Sequence, residues 1–482
     1  MRDCAVRQHP QAPKAGRRRA RAGVLVLGGG FGGATVTRGL GRTGATLVSN
    51  ENALLFTPML PEVASGSIEP RHVVVPLRQM CPHADLVLGE VSHVDTDRKI
   101  VVVSNEVGEL IYSYDHLVIA LGAVSRTLPI PGLADHAVGF KTFYDAVYLR
   151  DHVLRELNLA DNEQSGERAA SHLGFVFVGA GYAGVEALAE LHDLVQDALR
   201  HYPSLHGIPQ RWLLVEAQDR ILPAIPTHLG EYATELLAAR GIEIHTDTRL
   251  DAVHHDRVEL SSGHIVPAHT VVWSAGVAPH PLVSVMGLPT DGAGRIQVDA
   301  TLRVEDHEDV WALGDIARVV NVATPGVNDP PTSQHAIRQG RHLARNLTRA
   351  LEGQPLQPYG FRALGQVATL GRYRGIADVL GLRFSGMLGW LITRAYHAYA
   401  MPLVTRRIRV LTDWTLSLFF KRDVVAYGGS ESAPKLHDFV PPDIQDLEAV
   451  RAPVVGEHSS ATDEPSDVGG GSARTTPPRD AR

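Results

Sequence analysis

Two glycine-rich segments are the parts of this sequence whose residue types and spacing predict a definite chemistry. In the first, Gly28, Gly30 and Gly33 follow a short apolar run. This is the G-x-G-x-x-G spacing of a dinucleotide site, where the glycines allow a tight turn, close approach of a pyrophosphate and close packing of a helix on a strand. The helix that follows presents unpaired N–H groups and its positive dipole end to the phosphates.

The same pattern recurs further along the chain, with glycines in register at Gly179, Gly181 and Gly184. Two such units indicate two dinucleotides, a flavin and a nicotinamide, held against each other. Glu216 ends the next strand-like run, where a carboxylate accepts a hydrogen bond from the ribose 2′-OH of NADH and repels a 2′-phosphate. Arg220 lies close by in the sequence and leaves NADPH as the alternative.

Further residues are predicted to bind the flavin. Ser49 ends the second strand of the first unit, where a flavin site usually has an acid for the ribose hydroxyls, and Thr57 lies in a double-proline loop predicted to border the flavin ring. Asp315 follows a buried strand and is predicted to bind the ribityl chain, with capping of a helix as the alternative. Gly122 and Gly276 end two other apolar strands and let the backbone approach a ligand.

These residues must be positioned by strand–turn–helix units, so the sequence predicts an α/β fold with two Rossmann-like dinucleotide-binding domains, one for FAD and one for NADH. An amphipathic helical membrane-binding region is predicted to follow them. The predicted boundaries are 1–22 for a basic disordered tail, 23–145 and 296–350 for a discontinuous FAD-binding domain, 146–295 for the NADH-binding domain, 351–430 for the C-terminal region and 431–482 for a disordered tail.

The composition is that of an ordinary globular protein, with 44% apolar and 21% charged residues. A net charge of −7 gives no general attraction to nucleic acid, which is not predicted as a partner. Cys4 and Cys81 are the two cysteines, and they form no C-x-x-C pair. This excludes dithiol reductase chemistry and a cysteine-ligated metal, and no metal is predicted. So few cysteines are typical of a reducing, cytoplasmic setting.

Residues 383–422 are predicted to form two apolar helices rich in aromatic residues and arginine. Five residues of the second helix are predicted to share one face: Val404, Ile408, Leu411, Trp414 and Leu418. Both helices are too short and too charged to span a bilayer. Apolar faces beside arginine are typical of helices that lie on anionic lipid. A homodimer interface, or a helical hairpin packed on the core, is the alternative.

With these segments the chain resembles the type II NADH:quinone oxidoreductases, single-subunit flavoproteins of the membrane surface. The discriminating parts are the helix start over 333–339 and the C-terminal helices. The resemblance implies FAD and NADH as cofactors and transfer of electrons to a membrane quinone in a respiratory chain, without proton pumping. It further implies peripheral attachment to the cytoplasmic side of the cell membrane. It identifies Glu186, beside the nicotinamide and flavin, and Gln334, in the quinone pocket, as the catalytic residues.

Two other functions remain compatible with the sequence. One is a soluble NADH-dependent reductase of an electron-carrier protein, which would have no need of residues 383–482. The other is a redox-sensing flavoprotein that binds partners or nucleic acid through its basic N-terminal arm. Rapid reoxidation by a quinone and binding to liposomes distinguish the quinone reductase from both.

Overall fold

A computed structural model describes residues 18–363 and 365–428. The predicted tail over 431–482, and residues 1–17 of the predicted basic tail, lie outside the described residues. The prediction that this tail extends to residue 22 is wrong, because Arg18–Leu27 forms one continuous strand. Its first half pairs with residues 110–114 and is thereby held in a sheet despite its exposed arginines.

The strands and helices have the following bounds. The strands are β1 (Arg18–Leu27), β2 (Thr46–Ser49), β3 (Ala53–Leu55), β4 (Val74–Pro76), β5 (Asp85–Leu88), β6 (Glu90–Asp95), β7 (Ile100–Asn105), β8 (Gly108–Ile119), β9 (Ala123–Ser125), β10 (Val138–Gly139), β11 (Gly174–Val178), β12 (Arg211–Val215), β13 (Ile242–His245), β14 (Leu250–Val253), β15 (Arg257–Leu260), β16 (Ile265–Pro267), β17 (Thr270–Trp273), β18 (Val277–Pro279), β19 (Ile296–Gln297), β20 (Val310–Ala312), β21 (Ala317–Arg318), β22 (Gly365–Thr369), β23 (Gly375–Val379) and β24 (Leu382–Ser385). The helices are α1 (Phe31–Leu40), α2 (Leu60–Ala64), α3 (Leu77–Met80), α4 (Leu133–His136), α5 (Phe143–Asn162), α6 (Gly166–His172), α7 (Tyr182–Ala198), α8 (Thr227–Ala238), α9 (Ser333–Leu351), α10 (Gly386–Ala400) and α11 (Val404–Phe419).

The first sheet has the order β5-β2-β1-β8-β7-β6 within the described part of the chain, and β20 also pairs with β8. Strands β5, β2, β1, β8 and β20 run parallel, whereas β6 and β7 form an antiparallel meander with β8. The last four residues of β1, from Val24 to Leu27, are buried, as expected of a parallel strand covered on both faces. Helix α1 packs against β1, β2 and α9. The late strand β20 thus joins the sheet that carries the first glycine turn.

The second sheet is parallel and has the order β10-β17-β11-β12-β13. Helix α7 leaves β11 through the second glycine turn, as α1 leaves β1 through the first. This repetition confirms the predicted α/β fold with two Rossmann-like units. Between the two sheets, β9 and β18 pair antiparallel and bring the segments that follow β8 and β17 together.

The C-terminal region contains strands that the sequence analysis missed. Strands β22, β23 and β24 form an antiparallel sheet, and α10 packs on all three. These strands are short and their apolar residues follow no clear alternation, so the sequence carries little signal for them. None of the helices within residues 18–363 and 365–428 is long and apolar enough to cross a membrane.

The tryptophans of the C-terminal helices are turned inward. Trp390 and Trp414 are 3% and 5% exposed. The prediction that Trp414 shares one face of α11 with Val404 and Ile408 is therefore wrong, because those two side chains are exposed. Trp414 lies at the edge of the apolar stripe, and its indole N–H donates to a buried carboxylate, that of Glu62, which holds the ring inside.

Candidate functional site

The first glycine turn is shaped for close backbone approach. Gly28 has φ 104°, and a Cβ there would overlap the carbonyl oxygen of Ala120, while a Cβ on Gly33 would overlap that of Gly28. At Gly30, by contrast, no described atom lies within 4 Å of an added Cβ. The fold itself thus requires two of the glycines, and the third leaves open a space at the start of α1 that a pyrophosphate would fit.

The second glycine turn repeats this design. Gly179 has φ 101°, and its Cβ would lie 2.7 Å from the Cα of Ala275. A Cβ on Gly184 would overlap the Gly179 carbonyl oxygen, and one on Gly181 would meet no described atom within 4 Å. Both turns therefore fit the phosphates of a dinucleotide on backbone geometry alone.

A cavity of about 1000 Å³ lies against the first turn, the double-proline loop and the starts of α7 and α9. Most of the predicted site residues line it: Gly28, Gly30, Ser49, Thr57, Gly122, Glu186, Gly276, Asp315 and Gln334. The remaining predicted residues are outside this lining: Gly33, Gly179, Gly181, Gly184 and Glu216. The second turn reaches the cavity through Tyr182 and Ala183 instead.

The polar residues of the cavity fit the sugar and ribityl parts of FAD. Ser49 is buried, and its hydroxyl oxygen accepts a hydrogen bond from the backbone N–H of Glu51 at 3.3 Å, which leaves its proton available to a ligand. Asp315 lies inside the short turn Gly314–Ile316, whose N-cap is Leu313, so the alternative that it caps a helix is wrong. Burial raises the pKa of Asp315, and the ammonium of Lys141 opposes that shift.

Lys141 is a cavity residue that the sequence analysis did not identify. It precedes α5, where its backbone N–H donates to Asp145 Oδ2 at 2.8 Å within a capping box that starts the helix. The capping box could have been found from the sequence, but nothing in it indicates that the lysine faces Asp315. That juxtaposition exists only once two distant segments have packed together.

Glu216 stabilises the second glycine turn. Its carboxylate accepts hydrogen bonds from the backbone N–H groups of Ala180, at 2.6 Å, and Gln218, at 3.0 Å. Arg220 is committed elsewhere, since it donates to the Thr227 hydroxyl and to a backbone carbonyl. The charge at the end of β12 is therefore that of a carboxylate, which favours NADH over NADPH.

Glu186 is a buried acid at the meeting point of the two units. One carboxyl oxygen, Oε1, accepts from the backbone N–H of Thr369 in β22 at 2.8 Å. Burial raises the pKa of Glu186 to about 8, because the hydrogen bond from Thr369 offsets only part of the desolvation, and Glu62 and Glu190 add further negative charge. Near pH 7 the side chain is thus mostly protonated.

A buried ion-pair network fastens the C-terminal helices to this region. Glu62 Oε1 accepts from Arg394 at 2.8 Å and from the Trp414 indole N–H at 3.0 Å. The Arg394 guanidinium also lies over the rings of Trp390, at 3.9 Å, and Trp414, at 4.9 Å. One helical turn beyond Glu186, Glu190 binds Arg422 in the same manner at 2.6 Å.

Replacing Arg394 by Met is expected to lower the free energy of unfolding by about 3 kcal/mol, because Glu62 would then be buried without its cationic partner. The measurement is urea unfolding of the FAD-loaded protein. Arg409→Met is the matched control, since Arg409 is an exposed arginine of α11. Equal midpoints for the two variants would contradict this account of the network.

A second cavity, of about 490 Å³, adjoins the first. The two share five lining residues, Phe31, Gln334, Ile337, Tyr396 and Ala400. On α9, Gln334, Ile337 and Arg338 line the smaller cavity. Gln334 is half-buried at the start of α9. Its amide offers both a donor and an acceptor at the junction of the two cavities.

Gln339 is a supporting residue that the sequence analysis passed over. It is 2% exposed; its Oε1 accepts from the backbone N–H of Gly314 and its Nε2 donates to Asp329. It therefore fixes the turn that carries Asp315 against α9. A buried glutamine on the inner face of a helix gives no sequence signal of its own.

Comparison with known proteins agrees with this geometry. Residues 22–340 match the family described as pyridine nucleotide-disulphide oxidoreductase. The type II NADH:quinone oxidoreductase Ndh of Mycobacterium tuberculosis is 30% identical over 434 residues, which cover 86% of this chain and 91% of that protein. The chain belongs to this family, and within it to the type II NADH:quinone oxidoreductases.

Other members extend the comparison. A probable NADH dehydrogenase of Dictyostelium discoideum is 29% identical and covers 84% of this chain and 91% of its own length. NDH2 of Plasmodium falciparum, solved in complex with NADH, superposes with a TM-score of 0.78 at 18% identity over 84% of this chain and 99% of that one. The fold of this chain therefore matches that of NDH2 over most of its length.

Proposed function

We propose that this protein oxidises NADH and reduces a membrane quinone, with FAD as the resident cofactor. The observation that carries the proposal is the continuity of the two cavities. The first contains the glycine turn, Glu186 and Asp315, and the second continues from Gln334 between α9 and the C-terminal helices. An enzyme with a soluble donor and a lipid-dissolved acceptor needs two such connected compartments.

The overall reaction takes NADH, a proton and the quinone to NAD⁺ and the quinol. The first glycine turn, Ser49 and Asp315 would hold FAD, which would supply hydride acceptance from NADH and two-electron donation to the quinone. The protein supplies orientation, exclusion of water and protons. In this reading the second glycine turn binds the NADH pyrophosphate, and Glu216 accepts from a ribose hydroxyl.

Glu186 and Gln334 serve the quinone half of the reaction. Glu186 lines the first cavity, where the flavin would bind, and at neutral pH it is mostly protonated, so it can supply a proton as the quinone is reduced. Its raised pKa suits proton donation there. Gln334 lies where its amide N–H group donates to a quinone carbonyl. Arg338 adds positive charge to the second cavity, which Gln334 also lines.

The function is tested by steady-state turnover of the FAD-loaded protein with different acceptors. NADH oxidation is expected to be fast with short-chain benzoquinone or naphthoquinone, and much slower with NADPH as donor. Rapid reduction of a small electron-carrier protein, with negligible turnover on either quinone, would favour the soluble reductase instead. A flavin that NADH reduces but neither acceptor reoxidises would favour the redox sensor.

We further propose that the outer faces of α10 and α11 lie on lipid. Residues exposed there are large and apolar: Met387, Leu388, Leu391, Tyr399, Val404, Ile408, Leu411, Leu416, Leu418, Phe419 and Phe420. Arg409 is exposed beside them and suits anionic headgroups. A patch of this size is rarely left in water. We place it on the cytoplasmic side of the cell membrane.

Ile408→Asp combined with Leu411→Asp is expected to abolish binding to anionic vesicles, since each charge opposes insertion of the helix face. Flotation of the protein with phosphatidylglycerol vesicles is the measurement. FAD content and turnover with a short-chain quinone should be retained. Val107→Asp, in an exposed hairpin turn of the first sheet, is the control. Should the wild type fail to float and instead form a dimer that the double variant disrupts, the patch is a homodimer interface.

A further inference from the structure

A cluster of histidines and one glutamate lies at the end of the second sheet opposite the cofactor cavity. Glu156 belongs to α5, His172 ends α6 just before β11, and His269 immediately precedes β17. Strands β11 and β17 carry the second glycine turn and Gly276 beyond their other ends. Four to five residues of strand, roughly 15 Å, therefore separate the cluster from the dinucleotide site.

The cluster has the composition and spacing of a metal site. One ligand atom from each of Glu156, His172 and His269 lies within 4.8 Å of the other two. His172 Nδ1 and Glu156 Oε2 are 2.7 Å apart, and the His172 and His269 rings stack with centroids 4.2 Å apart. In a tetrahedral zinc site the ligand atoms are about 3.4 Å apart, so adjustments of roughly 1 Å complete the geometry.

The burial of the three side chains suits a bound ion. Glu156 is 4% exposed, while the two histidines are half-buried, so the carboxylate is fixed from behind and an entry path remains at the surface. Four further groups surround the cluster. His152 Nδ1 lies 3.7 Å and Arg155 Nε lies 3.8 Å from Glu156 Oε1. The centroid of the His255 ring lies 5.3 Å from that of the His269 ring, and Asp256 follows His255 in the sequence.

The two oxygens of Glu156 have separate surroundings. Oε1 faces the cation Arg155, and Oε2 faces His172. A metal on Oε2 would therefore displace the proton of the His172 hydrogen bond without displacing Arg155. His255 lies close enough to supply a fourth ligand after a side-chain rotation; otherwise water completes the coordination.

We propose that Glu156, His172 and His269 bind one divalent transition-metal ion, of which Zn²⁺ fits the ligand set best. The site ties α5 and α6 to the start of β17. Its role is to fasten the NADH-binding sheet at the end remote from the cofactors, and it takes no part in the transfer of electrons. The proposal stands independently of the oxidoreductase function.

The test is binding of Zn²⁺ to the full-length, FAD-loaded protein after treatment with a chelator. Isothermal titration calorimetry should show one Zn²⁺ bound to the wild type that is missing, or weakened on the order of 100-fold, in the double variant His172→Ala, His269→Ala. Zn²⁺ should also raise the Tm of the wild type by roughly 3 °C and leave that of the double variant unchanged. His264→Ala, an exposed histidine of the neighbouring small sheet, should behave as wild type.

Co²⁺ provides a second readout that does not depend on the stability of the variants. Added to the wild type, it should give intense d–d bands on the long-wavelength side of the flavin absorbance, and Glu156→Gln should weaken them. The proposal is overturned if wild type and double variant bind Zn²⁺ alike, if the wild type binds none, or if Co²⁺ shows only the weak bands of the hydrated ion.

Discussion

Gly30→Val is expected to give a folded protein without FAD, and Gly181→Val a yellow protein that NADH reduces only at much higher concentration. Both glycines have extended backbones that valine adopts readily, with φ near −70° and ψ near −170°. Neither would bring a Cβ within 4 Å of any described atom. The added isopropyl groups should therefore weaken binding of the dinucleotide without destabilising the fold, because each would fill the space of one pyrophosphate.

The two variants are each other's control. Flavin absorbance after gel filtration should be lost in Gly30→Val and retained in Gly181→Val, with similar far-UV circular dichroism. NADH binding to Gly181→Val should be weaker by about 100-fold, which corresponds to roughly 3 kcal/mol of lost contacts. Dithionite should still bleach its flavin. If either variant showed the other's phenotype, our assignment of the two turns would be wrong.

Glu186→Gln is expected to slow quinone reduction by about 100-fold while NADH reduces the flavin at nearly the wild-type rate. Glutamine keeps the size of the side chain and retains an oxygen to accept the Thr369 N–H, but it cannot give up a proton to the quinone. Single-turnover measurements of each half-reaction separate the two steps. An equal loss in both halves would mean that Glu186 positions the nicotinamide instead.

The pH profile supplies an independent check on Glu186. With a pKa of about 8, the side chain carries its proton below pH 8 and loses it above. Quinone reduction by the wild type should therefore fall as pH rises through 8. The Glu186→Gln variant should reduce quinone slowly at every pH, and its rate should not fall as the pH rises through 8. A wild-type rate that climbs with pH through the same range would exclude a proton-donating role.

Backbone-encoded features of the fold were predictable from the sequence. The glycine turns can be recognised in the sequence because only glycine fits at positions 28 and 179, where a Cβ would collide with the end of a neighbouring strand. The parallel strands can be recognised because a strand that is buried on both faces consists of a continuous run of apolar residues. The small sheet of β22, β23 and β24 was not predictable, since its strands are short and their apolar residues follow no clear alternation.

The site was predictable only in part, for a related reason. Glu186 and Gln334 follow from resemblance to a family, whereas Lys141 beside Asp315 and Arg394 beside Glu62 arise from segments far apart in the chain. Trp414 shows the limit of periodicity. Its position on the helix fits the outer stripe, but a buried carboxylate within hydrogen-bonding distance decides the direction in which it points.

The most direct test of the account is stopped-flow reoxidation of the flavin after anaerobic reduction by one equivalent of NADH. We predict that a short-chain quinone restores the oxidised flavin spectrum at least as fast as steady-state turnover, with one quinol formed per NADH consumed. A flavin that NADH bleaches fully, but that quinone reoxidises more slowly than turnover or not at all, would contradict it.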